Sequence, residues 1–139
     1  MGFRVKIEGG ESIELGIENV ETVEFTTDTP NDSNARSTDL GVTLVIKGKI
    51  LTAIGGAAAD DTMKIAKWSL VPAEQADCYR NVTVDVISAG QTVRQIKLPN
   101  AFVVDYYEDY GDGQGIGQFS LFVRQKKDKT VMVEFEGGF

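Results

Sequence analysis

The stretch YRNVTVDVI (79–87), followed by VRQIKLPNAFVVDYYEDY (93–110) and QFSLFVRQ (118–125), decides how this chain folds. In its first part Val82, Val84 and Val86 alternate with Thr83 and Asp85. That period of two belongs to a strand with one face buried. In its third part Phe119, Leu121 and Val123 share one face, and Ser120, Phe122 and Arg124 share the other. Between the first two parts, Ser88-Ala89-Gly90-Gln91 predicts a hairpin turn, with the glycine at positive φ. Pro99 falls inside the middle strand, where it removes a ladder donor. It is therefore expected at an edge or a bulge, bending residues 93–107 and dividing their pairing between two sheets.

Outward from this block, more strands appear. Phe3, Val5 and Ile7 alternate with charged residues before Gly9-Gly10, and Ile13, Leu15 and Ile17 return as the second arm of a hairpin. Val20, Val23 and Phe25 mark a third strand. Leu40–Ile54 is rich in β-branched residues and predicts a fourth, with Val42, Leu44, Ile46, Gly48 and Ile50 on one face. Val131, Val133 and Phe135 mark a closing strand.

One helix is expected over 60–70. Asp60-Asp61-Thr62 offers N-cap oxygens, Pro72 marks the stop, and Met63, Ala66, Lys67 and Leu70 follow helical spacing. Ile65 and Trp68 extend its apolar cover, and Trp68 reads as a plug for a barrel end rather than a stacking platform. About eight strands with one short helix predict a mainly β, antiparallel two-sheet β-barrel. No linker divides the 139 residues, so 1–139 is expected to be a single domain.

Composition narrows the chemistry. The net charge of −7 works against binding to nucleic acid or to anionic membranes. No apolar run reaches the ~18 residues of a membrane helix. The N-terminus lacks the apolar core of a signal peptide, so synthesis in the cytoplasm is expected, with any extracellular role reached by ejection or as part of a particle. Histidine is absent, which removes Ser-His and Cys-His nucleophile pairs and most zinc geometries. Cys78 is the sole cysteine, excludes an internal disulfide and reads as a buried thiol.

Asp105, Glu108, Asp109 and Asp112 cluster near tyrosines. This could form a glycosidase-like carboxylate pair, but a solvated loop rim is the favoured reading. The glycines of 111–117 precede a strand and lack Gly-Lys-Ser/Thr, so a phosphate loop has no support. Asp28, Asp32 and Asp39 match no calcium loop. No catalytic residue, metal or cofactor is assigned, and no enzyme is expected. A small carbohydrate- or protein-binding β-sandwich using Trp68, Tyr106, Tyr107 and Tyr110 stands as the alternative.

The order of elements resembles the tube-forming proteins of contractile injection machines, the superfamily of the haemolysin-coregulated protein of type VI secretion and the phage major tail-tube proteins. The similar features are Arg36-Ser37-Thr38-Asp39 leading into a strand, the helix 60–70, and Val93–Tyr107 followed by a glycine-rich break and Phe119–Gln125. They span roughly 20–135. The resemblance implies a structural protomer of the inner tube, stacked as homo-hexameric rings, with sheath, spike and baseplate proteins as partners; a tube-initiator or baseplate adaptor of the same fold is the nearest variant.

With a tube in view, two polar or glycine-rich segments become candidate assembly contacts. One is Thr29, Pro30, Asn31, Asp32, Ser33, Asn34 and Arg36 within the long polar loop 26–39. The other is Gly111, Asp112, Gly113 and Gly115. The second segment is too glycine-rich to hold one conformation cheaply and is expected to order in the assembly. One face of 79–87 and 118–125 is expected to be core, and the other to line a lumen or a subunit contact.

Overall fold

The computed structural model describes residues 1–28, 41–50, 61–111, 117–125 and 134–137. Among the described residues, eight strands and one α-helix make up the framework: β1 (Gly2–Glu8), β2 (Ile13–Leu15), β3 (Val20–Asp28), β4 (Gly41–Ile50), α1 (Thr62–Ser69), β5 (Arg80–Ser88), β6 (Gln91–Asp109), β7 (Gly117–Gln125) and β8 (Glu134–Gly137). A 3₁₀ turn, Ala76–Cys78, precedes β5. The mainly β, antiparallel character read from the sequence is present.

The strands form one continuous antiparallel sheet in the order β2-β1-β5-β6-β7-β4-β3, with β8 added to β6. The expected pair of sheets is therefore a single ladder. Its end strands β2 and β3 are not hydrogen-bonded to each other, although the sheet curls enough to bring β1 close to β3. The cause is β6, which is 19 residues long and stays one strand while changing neighbours. Its first half pairs with β5 up to Ala101, and its second half pairs with β7 from Ala101 onward.

Pro99 sits where that change occurs. Val82 pairs with Leu98 and Arg80 with Ala101, so Pro99 and Asn100 together oppose Asn81 in a bulge. The ring's missing N–H costs no ladder bond there. Asn100 takes a positive φ of 57°, and its N–H donates to Asn81 Oδ1 at 3.2 Å. At the β5–β6 turn both Ala89 and Gly90 have positive φ, so the loop needs two such residues where one was expected.

The core lies on the concave side of the sheet. Val5, Ile7, Ile13, Leu15, Leu44, Ile46, Val84, Leu98, Phe119, Leu121 and Val123 are buried there. Burial of each large side chain contributes about 1.5–3 kcal/mol. The predicted core faces of β4 and β7 hold throughout. On β5, Val82 and Val84 are core while Val86 is only half-buried, beside a register shift at Val86/Ile87. On β3, a bulge at Val20/Thr22 lets Val20 and Val23 face the same side despite their odd spacing.

Helix α1 caps one end of the curled sheet, and here the sequence reading needs correction. Met63 is 65% exposed and Leu70 81% exposed, so the stripe Met63, Ala66, Lys67, Leu70 is not the buried one. Thr62, Ile65 and Trp68 are buried instead. The larger side chains Ile65 and Trp68, three apart, out-compete that stripe for the core. Asp61 makes no N-cap hydrogen bond. Its carboxylate instead accepts from the Glu14 N–H at 2.8 Å and pairs with Lys64 at 3.5 Å, tying the helix to β2.

Candidate assembly surface

The helix end of the molecule is built around Trp68. This side chain is buried, and its indole N–H donates to the Cys78 carbonyl at 2.9 Å. The plug reading therefore holds, and the indole face is not open for stacking on a ligand. The Arg80 guanidinium carbon lies 5.4 Å from the centre of the Trp68 ring, an attractive cation–π arrangement.

Arg80 is 4% exposed, and its guanidinium is paired with Asp77. Its Nη2 donates to Asp77 Oδ2 at 2.7 Å, and its Nε donates to the Asp77 carbonyl. Asp77 Oδ1 accepts from the Gly10 N–H at 2.9 Å. The β1–β2 turn must carry glycines for this: a Cβ on Gly9 would stand 2.6 Å from Arg80 Cγ, and one on Gly10 2.6 Å from Asp77 Oδ1. The Arg80 hydrogen bond, and then the Gly10 N–H, hold the Asp77 carboxyl below its ordinary range. Burial pushes the Cys78 thiol upward, helped by the charges of Asp77 and Glu74, so it is a buried, poorly nucleophilic sulfur.

The far end of β6 is built differently. Tyr106 and Tyr110 each donate a phenol hydrogen bond to Glu108, at 2.9 Å to Oε1 and 2.7 Å to Oε2. Both carboxylate oxygens are thus used to fasten the strand end. Asp105, Glu108 and Asp109 are exposed and form a rim. Tyr107 packs edge-on against Phe122, with ring centres 5.9 Å apart. The four aromatics proposed as one stacking surface are therefore split: Trp68 is buried at the helix end, Tyr106 is packed against the core, and Tyr107 and Tyr110 are exposed at the strand end.

On the convex face, Glu24, Val45, Phe122 and Asp105 form one cross-strand row, and Thr22, Lys47, Ser120 and Tyr107 the next. Val45 and Phe122 are half-buried amid exposed charges. The sequence placed Phe122 on this outer face, but its contact with Tyr107 depends on the register of β6 against β7. A bulge at Val103/Asp105 sets that register and leaves Val104 exposed.

Several strand edges stay open among the described residues. They include the outer edges of β2, β3 and β8 and, beyond Ala101, the edge of β6 away from β7. Of the candidate contact residues, Thr29, Pro30, Asn31, Asp32, Ser33, Asn34, Arg36, Asp112, Gly113 and Gly115 lie outside the described residues. Gly111 is described: it is exposed just beyond β6, with no described residue within 4 Å of a Cβ added there. No group of three or more His, Cys, Asp or Glu residues poised for a metal ion occurs among the described residues. None of their helices is long and apolar enough to cross a membrane.

No protein-family model matches the chain, and no curated protein sequence matches it significantly. Solved structures do match, along nearly its whole length. Hcp1 from Flavobacterium johnsoniae superposes with a TM-score of 0.57 at 14% identity, covering 99% of this chain and 97% of that one. The chain has the Hcp fold. A chain of the anti-feeding prophage baseplate matches with a TM-score of 0.56 at 13% identity, covering 98% of this chain and 93% of that one. A chain of the sheath–tube complex of the extracellular contractile injection system PVC matches with a TM-score of 0.53 at 13% identity, covering 98% and 88%.

Proposed function

We propose that this protein is a structural protomer of the inner tube of a phage tail-like contractile injection machine, a single domain over 1–139 that stacks as hexameric rings and has no enzymatic role. The observation that carries this reading is the end-to-end match to Hcp1 and to chains of two contractile injection particles. Open strand edges support it, because an exposed edge is a hazard unless something pairs with it. A heterologous contact through two different edges closes into a ring when the rotation allows. In such a ring the sheets of neighbouring subunits would complete a two-sheet barrel wall, with sheath, spike and baseplate proteins outside and at the tip. The polar segment 29–36 and the glycine-rich segment 111–115 are placed in this reading as contacts between subunits or rings.

Mass photometry and negative-stain microscopy of the purified chain test the proposal. Rings of six copies, extending into tubes at high concentration, are the expected outcome. A strict monomer at millimolar concentration overturns it. The match to an anti-feeding prophage baseplate chain favours a second reading, a tube-initiator adaptor of the same fold. An adaptor would give single rings that do not elongate.

A further inference from the structure

Among the described residues, two buried side-chain polar atoms have no hydrogen-bond partner, Arg80 Nη1 and Gln125 Oε1. They are neighbours in the fold. Arg80 pairs with Ala101 on one side, and Ala101 pairs with Gln125 on the other, so the three residues form one cross-strand row at the point where β6 changes partners. Both flanking side chains are buried, at 4% and 2% exposure, and the residue between them contributes only a methyl group. Adjacent strands lie about 4.8 Å apart, so Arg80 and Gln125 stand about 10 Å apart at the backbone, on either side of Ala101.

The chemistry of the two orphans is complementary. The Gln125 side-chain N–H₂ donates to the carbonyl of Pro99, which fixes the amide's orientation and leaves Oε1 as a pure acceptor. Arg80 spends Nη2 and Nε on Asp77, which leaves Nη1 as a pure donor. A buried donor and a buried acceptor left apart each cost a desolvation penalty, and proteins relieve such pairs with internal water at about one molecule per 27 residues. We infer that a buried water site beneath the helix bridges Arg80 Nη1 to Gln125 Oε1. It joins β5 to β7 across the bulge and holds the bend of β6 from the inside.

Two measurements test this. In a crystal structure of the intact chain at high resolution, ordered water is expected within hydrogen-bonding distance of Arg80 Nη1 and linked to Gln125 Oε1. A direct Arg80–Gln125 hydrogen bond, or protein atoms filling the space, overturns the inference. Oxygen-17 relaxation dispersion reads the same site in solution. Gln125→Met, close in size and lacking the acceptor, is expected to remove at least one long-lived internal water and to lower Tm by about 3 °C or more. An unchanged count of long-lived waters in that variant overturns the inference even if Tm falls.

Discussion

The guanidinium of Arg80 lies 5.4 Å from the ring centre of Trp68, and both side chains are buried beneath the capping helix. This contact joins β5 to α1, and the Trp68 N–H to the Cys78 carbonyl joins α1 to the turn before β5. Replacing Trp68 by Phe keeps much of the volume but leaves the Cys78 carbonyl unpaired and weakens the cation–π contact. A loss of about 1–3 kcal/mol is expected. Trp68→Ala adds a cavity and is expected to cost about 3–5 kcal/mol. Urea denaturation of the two variants reads both values.

Asp77 supplies the counter-charge that lets Arg80 stay buried. Asp77→Ala removes it and leaves a buried cation with one fewer partner, so its cost exceeds the ~0–1 kcal/mol of an exposed ion pair. The pH dependence follows from the lowered carboxyl. The folded-state pKa lies below the ordinary value of 3.8, so the unfolded chain binds this proton first as pH falls. The contribution is complete above the unfolded pKa and disappears as pH drops through the folded one. Wild type and Asp77→Ala are expected to differ by a constant amount above about pH 5 and to converge toward pH 2–3. Thermal melts from pH 7 to pH 2.5 check this, and a gap that widens on acidification would contradict the assigned role.

The strand pattern was legible in residues 2–8, 13–15, 41–50 and 118–125 because the alternation of inward and outward side chains there is unbroken. The helix face was not legible, since α1 has only eight residues and two overlapping apolar stripes. Choosing between Met63/Leu70 and Ile65/Trp68 needs the geometry of the sheet end it covers. Nothing in the alternation of 79–87 singles out Arg80. Its burial depends on Asp77, Gly10 and Trp68, contacts that form only when separate elements meet. The continuity of the sheet was hidden for a similar reason: Pro99 signalled a bulge, but not that β6 would run through it unbroken. The acidic run 105–112 announced a rim, yet the clamp on Glu108 by Tyr106 and Tyr110 needs the folded strand end.

Two glycines offer a matched comparison. A Cβ on Gly48 would stand only 1.9 Å from the Asn19 carbonyl oxygen, which also accepts from the Lys49 N–H at 2.7 Å. Gly48→Ala must displace backbone and break the β3–β4 junction, so a loss of more than 2 kcal/mol is expected. Around Gly111 no described residue lies within 4 Å of an added Cβ. Gly111→Ala is expected to leave monomer stability within about 0.5 kcal/mol of wild type. Any effect it has on ring formation then reports on assembly, which makes it the cleaner probe of the 111–115 segment.

The open edges carry like charge. Glu21 and Glu24 lie on β3, and Asp105, Glu108 and Asp109 lie on the part of β6 paired only with β7. If rings form by joining these edges, carboxylates approach carboxylates, in a chain that already carries a net −7. Acidic edges of this kind suppress indiscriminate strand pairing. Salt should relieve the repulsion, because the screening length falls from about 10 Å at 0.1 M to about 3 Å at 1 M. At fixed protein concentration the assembled fraction is therefore expected to rise several-fold across that range when followed by mass photometry. Asp105→Asn with Asp109→Asn should shift the same rise to lower salt. An assembled fraction that falls with salt would mean that these edges meet a basic surface instead, and that the ring contact lies elsewhere on the sheet.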